Sequence, residues 1–450
     1  MNSDCKGTVH MTFYENVKLI LLSKIKEMAL TPWLFANNPM IDFTRKRKMD
    51  FEMLIRSLIS MESGSLKHEL LKLFDFSPDT LSPSAYHQQR CKLLPEALPH
   101  LFRQFTSCFP GQLYRGKYRP IASDGSEFFI SRNPDDFDSY CPPCGTSARG
   151  FNLVHVNALF DLLNRVYLDA IIQPRRKKNE YRALCDLMDR YMGYSGIPIF
   201  IADRGVSSYN CYAHAIENDM FFVIRTKDQN TKRLLGIDSL DDPDEFDCTV
   251  DRILTRTKNQ RKRSQPDNAG IYRFISTADF DYIDRGSARE YPIRLRVLRF
   301  KITEDSYENI VTNLPDADFP ADEVKMLYGL RWNIEGSFRD LKYAIGTVNF
   351  HSLNRTLINQ EIWARLILFN FCSIITAHVV TDKRDTKHSY QVNYSMAIKI
   401  CHYFLRLARG KDPPDINGLI SGCALPIRPG RRFHRHNRIR RPPSFLYRFS

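Results

Sequence analysis

The sequence predicts an α/β protein in which a catalytic core is interrupted by a β-rich insertion, with helices at both ends of the chain. Three observations predict it. Ile197-Pro-Ile-Phe-Ile-Ala202 is a continuous apolar run that stops at Asp203, as a strand buried on both faces of a sheet does. Strand-like segments precede it, and a helical segment, Tyr328 to Lys342, follows far downstream. The stretch between Asp203 and Glu335 is too long for a simple connection and holds strand-like runs of its own.

Composition sets the outer limits. The 450 residues allow two to four domains, and a hydrophobic content of 43% excludes a disordered chain. A formal net charge of +14 points to a polyanionic partner, nucleic acid before membrane. Eleven cysteines without a paired framework suit a reducing cytosol, and Lys18, Lys24 and Lys26 interrupt any leader-like run. The most membrane-like stretch, Ile362 to Val380, contains Arg365, Asn370 and His378, so a buried helix is expected there.

Residues 1–112 read as a helical unit. Phe13 to Met28 and Phe51 to Met61 are amphipathic, Ser65 caps Leu66 to Phe74, and Ser82-Pro opens another helix. Arg45, Lys46, Arg47 and Lys48 add a basic edge, which suits DNA binding and a structural bundle equally.

The first part of the core spans 113–227. A short strand from Tyr118 is expected to end at Asp124-Gly125, although Asp-Gly is also a common hairpin turn. Phe151 to Leu163 and Arg165 to Gln173 are strand candidates, and Glu180 to Met192 a helix. Asp203 then closes the buried strand at the place where α/β sheets keep ligands, which a helix-capping acid would also occupy.

The insertion, 228–318, contains Tyr291 to Phe300 as a strand and the acid-free run Arg256 to Arg263. Arg256, Lys258, Arg261, Lys262 and Arg263 read as a phosphate clamp or as a solvated loop. The core resumes at 319–352 with the helix expected from Tyr328 to Lys342. Its Leu327, Leu330, Ile334, Phe338 and Leu341 form an apolar stripe, and Tyr328, Arg331, Glu335, Arg339 and Lys342 share the arc beside it. One acid among three cations and a phenol fits a carboxylate that serves a metal amid groups that hold phosphate; a surface ion-pair ladder has the same spacing. Residues 353–415 read as helices packed on the core. Residues 416–450 carry Arg428, Arg431, Arg432, Arg435, Arg438, Arg440 and Arg441 and read as a disordered, nucleic-acid-touching arm.

A strand carrying Asp124, further strands, a helix, a strand carrying Asp203 and a late helix carrying Glu335 follow the order of an RNase H-like core, whose acids converge at one sheet edge. The motif Tyr328-x2-Arg331-x3-Glu335-x6-Lys342, with Asp124-Gly125 and Asp203-Arg204-Gly205, resembles the signature of DDE transposases of bacterial insertion sequences, the IS-four family. The resemblance covers about residues 40–410. It implies that Asp124, Asp203 and Glu335 are catalytic and hold two Mg²⁺ ions, with Mn²⁺ as a substitute. It further implies that Tyr328, Arg331, Arg339 and Lys342 contact DNA. The implied partners are double-stranded transposon ends and target DNA, bound by a homodimer in a synaptic complex. Relatives that form hairpins can use an insertion-domain Trp; Trp33, Trp332 and Trp363 lie elsewhere, leaving Tyr272 or Phe274 to stack on a base. An idle or domesticated DNA-binding protein and a nuclease that does not join strands are the alternatives.

Two other features read as structural. Cys141-Pro-Pro-Cys144 lacks the second half of a zinc site, and His351 is a lone histidine beyond the Glu335 helix.

Overall fold

The computed structural model describes residues 12–427, apart from 46, 145–146, 237–239, 241–244, 258–269, 276, 304–305, 348, 380–388, 408–410 and 412. Lys258, Arg261, Lys262, Arg263 and the arginine tail from Arg428 lie outside the described residues.

One large mixed sheet carries the core. Strands β1 (Tyr118–Ile130), β2 (Tyr140–Cys141), β3 (Phe151–Asp161), β4 (Val166–Pro174), β5 (Ile197–Ala202) and β6 (Phe221–Thr226) form its first half. Strands β7 (Phe246–Thr255), β8 (Tyr272–Phe274), β9 (Glu290–Thr303) and β10 (Ser306–Thr312) continue it. The order is β2-β3-β1-β5-β6-β10-β9-β7-β8, with β4 also paired to β3. β5 is parallel to both β1 and β6, while β3 runs antiparallel to β1. β5 is buried along nearly its whole length, as its unbroken apolar run requires. The strands between 246 and 312 extend the core sheet through β10, which lies antiparallel to β6.

The first correction concerns β1. It does not stop at Asp124 but runs on to Ile130, with Asp124 opposite Ala158 and Gly125 opposite Asn157 on β3. The apolar Phe128 and Ile130 beyond the Asp-Gly pair are buried and keep the strand in the sheet. A turn signal is thereby overridden by burial.

Helices from both ends of the chain share one layer. α1 (Phe13–Leu30), α2 (Phe51–Ser60), α3 (Leu66–Leu73), α4 (Pro83–Arg90) and α5 (Ala97–Thr106) precede the sheet. Asp50 and Ser65 cap α2 and α3 by accepting from Met53 and His68 N–H groups. Within the core come α6 (Glu180–Asp189), α7 (Tyr209–Glu217), α8 (Asp228–Leu235), α9 (Ala321–Gly329) and α10 (Trp332–Tyr343). The C-terminal helices are α11 (Arg355–Ala377), α12 (Tyr394–Arg406) and α13 (Ile416–Gly422).

α11 is buried on nearly all sides and packs against α1, α2, α5, α12 and β4. Several of its buried polar residues are matched, although Asn359 Oδ1 and Arg365 Nη1 are buried without a hydrogen-bond partner. Asn370 donates to Thr106 Oγ1 at 2.9 Å and to the Tyr167 carbonyl at 2.8 Å, and accepts from the Tyr167 N–H at 2.8 Å. Arg365 donates to the Glu62 carbonyl at 2.9 Å. Among the described residues no helix is long and apolar enough to cross a membrane.

A second correction falls on the segment from Tyr328 to Lys342, which is two helices rather than one. Arg331 N–H bonds the Tyr328 carbonyl and Ile334 N–H the Arg331 carbonyl, so the spacing tightens from four residues to three between α9 and α10. Gly329, at the end of α9, adds no side chain to resist the change. Arg331 keeps right-handed helical angles but is turned inward, only 3% exposed, while Trp332 beside it is exposed.

Candidate active site

The parallel register of β1 and β5 builds the site's floor. Ser123 lies opposite Ala202, so Asp124 and Asp203 are the next residues on neighbouring strands, about 4.8 Å apart across the ladder. Both line one small cavity of about 80 Å³, together with Ser123, Gly125, Asn157, Glu180, Gly205 and Val206. Asp203 follows the last residue of β5, and Asp124 lies inside β1.

α10 packs on β1 through Ile334, Ser337, Phe338 and Leu341, and the Ser337 hydroxyl pairs with the Tyr167 hydroxyl at 2.9 Å. That packing leaves Glu335 on the outer face, beside the acids of the sheet. Arg331 connects them. Its Nη1 lies 3.7 Å from Asp124 Oδ2, and its Nη2 donates to Glu335 Oε1 at 3.3 Å. Its Nε is buried without a hydrogen-bond partner, so the guanidinium is under-satisfied where it sits. Tyr328 donates from its hydroxyl to Asp203 Oδ1 at 3.3 Å, and burial pushes that phenol up to about 12. Arg225, at the end of β6, lies 3.7 Å from Asp203 Oδ1 and 3.1 Å from Glu308 on β10.

Asp124 is the strained charge of the group. Burial pushes its carboxyl up to about 6; the Gly125 N–H and Arg331 offset part of this, and Glu335 and Glu180 add repulsion. A carboxylate in that position gains most from a further cation.

Two residues of the arc behave differently from one another. Lys342 donates to Ser126 Oγ at 2.7 Å and sits 4.7 Å from the Phe128 ring centre, beside β1. Arg339 is exposed and lowers only its neighbour Asp340, whose carboxyl burial otherwise raises.

Arg256, expected in a phosphate-contacting run, spends its guanidinium on the carbonyls of Ile275, Ala278, Phe280 and Ile283. It ties the end of β7 to the segment around Phe280. His351 is buried and used on both ring nitrogens, facing Glu361 at 3.2 Å and the Gly64 carbonyl at 3.0 Å. Cys141 ends β2 half-buried with Cys144 exposed, and Tyr272 and Phe274 are half-buried in β8.

Glu180 is the site residue that sequence reading missed. It begins α6, where an acid in the first turn needs no further explanation, yet its carboxylate lines the cavity of Asp124 and Asp203. His155 Nε2 lies 3.1 Å from it, out of line for a hydrogen bond, and Lys178 lies 2.9 Å away. The two hold the Glu180 carboxyl down at about 2 against its burial. No spacing rule links positions 124, 180 and 203, which only the sheet brings together.

Gly125 is required by close approach. A Cβ there would stand 2.1 Å from His155 Nε2 and 2.7 Å from its Cε1, and the ring is only 2% exposed. Gly125→Ala is therefore expected to displace His155 and cost about 1–3 kcal/mol, read as a drop in urea midpoint at unchanged slope.

Among the described residues, no three acidic, histidine or cysteine side chains stand close enough as a ready-made ligand group for a metal ion. The donors do fit a hard divalent cation, which binds through one or two carboxylates and keeps its own waters. Asp124 and Asp203 are such a pair, and Glu335 is one guanidinium away.

Residues 116–371 match the transposase DDE domain model, more than half of the chain. The chain belongs to the transposase DDE domain family. Among solved structures, a cryo-EM structure of a piggyBac transposase synaptic complex with hairpin DNA is similar at a TM-score of 0.45 and 10% identity, over 86% of this chain and 79% of that one. No curated protein matches the chain.

Proposed function

We propose that this transposase-family chain cuts DNA at transposon ends and joins the freed 3′-OH to target DNA, as the IS-four transposases that its Tyr328-to-Lys342 signature resembles do. The observation that carries the reading is the register of β1 and β5, which sets Asp124 and Asp203 side by side with Glu335 tied to them through Arg331. The strand order β4-β3-β1-β5-β6 is the one expected of an RNase H-like core. Asp124, Asp203 and Glu335 would hold Mg²⁺, or Mn²⁺ in its place. When bound, the ions activate a water or hydroxyl nucleophile and stabilise the leaving oxygen.

The chain's own residues do the positioning. Tyr328 and Arg225 fix the Asp203 carboxylate from two sides. Arg331, under-satisfied between Asp124 and Glu335, is placed to turn to the scissile phosphate once another cation neutralises the acids. Lys342, beside Ser126, would hold the next phosphate. The helices of residues 1–112, with Arg45 and Arg47 exposed, would bind the transposon end, and two copies would meet in the synaptic complex.

The test is single-turnover cleavage of a bound end substrate with Mg²⁺, beside a thermal melt. Lys342→Ala is expected to cut at least about a hundredfold more slowly with little change in melting temperature, since positioning and charge neutralisation carry such catalysis. Cleavage by Lys342→Ala at the wild-type rate would remove it from the site. Cutting without joining would favour a plain nuclease, and binding without cutting an idle relative.

A further inference from the structure

The sheet places a short basic turn two strands from Asp124. β4 ends at Pro174, and Arg175, Arg176, Lys177 and Lys178 follow at once. Register links the turn to the site: Gly125 faces Asn157 and Glu127 faces His155, while His155 faces Gln173 and Val154 faces Pro174. At the usual strand spacing, β4 lies about 10 Å from β1.

The turn is not consumed by the fold. Arg175, Arg176 and Lys177 are exposed. Arg175 lies 3.3 Å from Glu127, Lys177 lies 2.8 Å from Asp138, and Lys178 reaches Glu180 at 2.9 Å and Glu127 at 4.0 Å. Asp138 is shared with Arg355 at 3.6 Å. Exposed pairs of this kind contribute about 0–1 kcal/mol, too little to explain four consecutive cations. The Arg176 guanidinium makes no hydrogen bond or ion pair among the described residues; only its backbone N–H is used, on the Asp138 carbonyl at 2.9 Å. Lys178 touches Glu180 on the wall of the acidic cavity, so the positive turn and the acids are continuous.

An acidic cavity repels the polyanion it must cut, and a basic rim solves that problem. Lys342 and Arg339 supply one side of the rim from α10. We infer that Arg175–Lys178 supplies the other, as a phosphate track for the DNA strand entering the site. Resting on the DNA-cleaving reading above, this assigns the track to backbone within about three nucleotides of the cut bond, at about 3.4 Å per nucleotide. Such contacts position the strand without reading sequence.

The experiment measures binding of a non-specific duplex by full-length protein in EDTA, by fluorescence anisotropy over a range of salt. Arg175→Ala/Arg176→Ala is expected to flatten the slope of log K against log salt by about 1.8, from about 0.9 per lost phosphate contact. Arg176→Ala alone, which breaks no contact in the fold, is expected to flatten it by about 0.9. Arg285→Ala/Arg294→Ala, at sites 78% and 75% exposed in the insertion, serves as control and should leave the slope unchanged. An unchanged slope in both track variants, or an equal fall in the control, overturns the track. Wild-type cleavage with an unchanged variant slope refutes the track alone. Absence of salt-dependent binding in the wild type refutes the track together with the DNA reading.

Discussion

Asp124→Asn, Asp203→Asn and Glu335→Gln should each lower Mg²⁺-dependent strand cleavage by about a thousandfold or more, while DNA binding in EDTA stays close to wild type. The effect is large because each amide keeps the shape of its side chain and removes the charge on which a hard cation depends. Stability should move the other way at one position. The Asp124 carboxyl is raised to about 6 in the fold by burial, above the ordinary value near 3.9, so its ionised form opposes folding at neutral pH. Asp124→Asn is therefore expected to hold or raise the melting temperature at pH 7. Single-turnover cleavage and a melt on the same preparation check both statements. An Asp124→Asn protein that cuts at the wild-type rate would end the assignment.

Glu361→Gln should destabilise the protein by about 3–5 kcal/mol at pH 7, the usual cost of breaking a buried ion pair from one side. Glu361 accepts from Arg90 at 2.9 Å and from the His351 backbone N–H at 2.9 Å, with its side chain only 4% exposed. Burial pushes its carboxyl up, but Arg90 and His351 together outweigh that and hold it at about 2. The folded value lies below the unfolded one, about 4.3, so its stabilisation is complete above that pH. It is lost as pH falls from about 4 toward 2. Urea melts at pH 7 and near pH 3 read this directly. The wild type should weaken between them, and Glu361→Gln should weaken less. Equal losses in the two proteins would place the acid sensitivity elsewhere.

The parts of the fold that could be read from sequence are those fixed by local pattern. Ile197 to Ala202 is a strand because nothing polar interrupts it, and α6 and α7 begin where Asn179 and Ser208 cap them. Asp124 was legible as an acid near a strand but not as one inside it, because Asp-Gly looks the same in a turn and in a strand that passes a histidine closely. The division between α9 and α10 was hidden for a related reason. The apolar stripe runs on unbroken, and the break lies in the tightened hydrogen bonds around Arg331 and its inward turn toward Asp124, which the pattern does not record. Glu180, Arg225 and Glu308 surround the site from distant positions, and the pairing of Arg90 with Glu361 joins opposite ends of the chain. Such contacts follow from topology, which periodicity does not contain.

The Asn370 amide has a mechanical consequence. It holds α5, from the first quarter of the chain, and β4, whose end carries the basic turn, in one grip on α11. A fragment cut near residue 112 would strip α11 of its cover and leave α1, α2 and α5 with open apolar faces. The N-terminal helices therefore travel with the sheet as a single lever. A force applied to them reaches β4, two strands from Asp124, without passing through a hinge at Asn370.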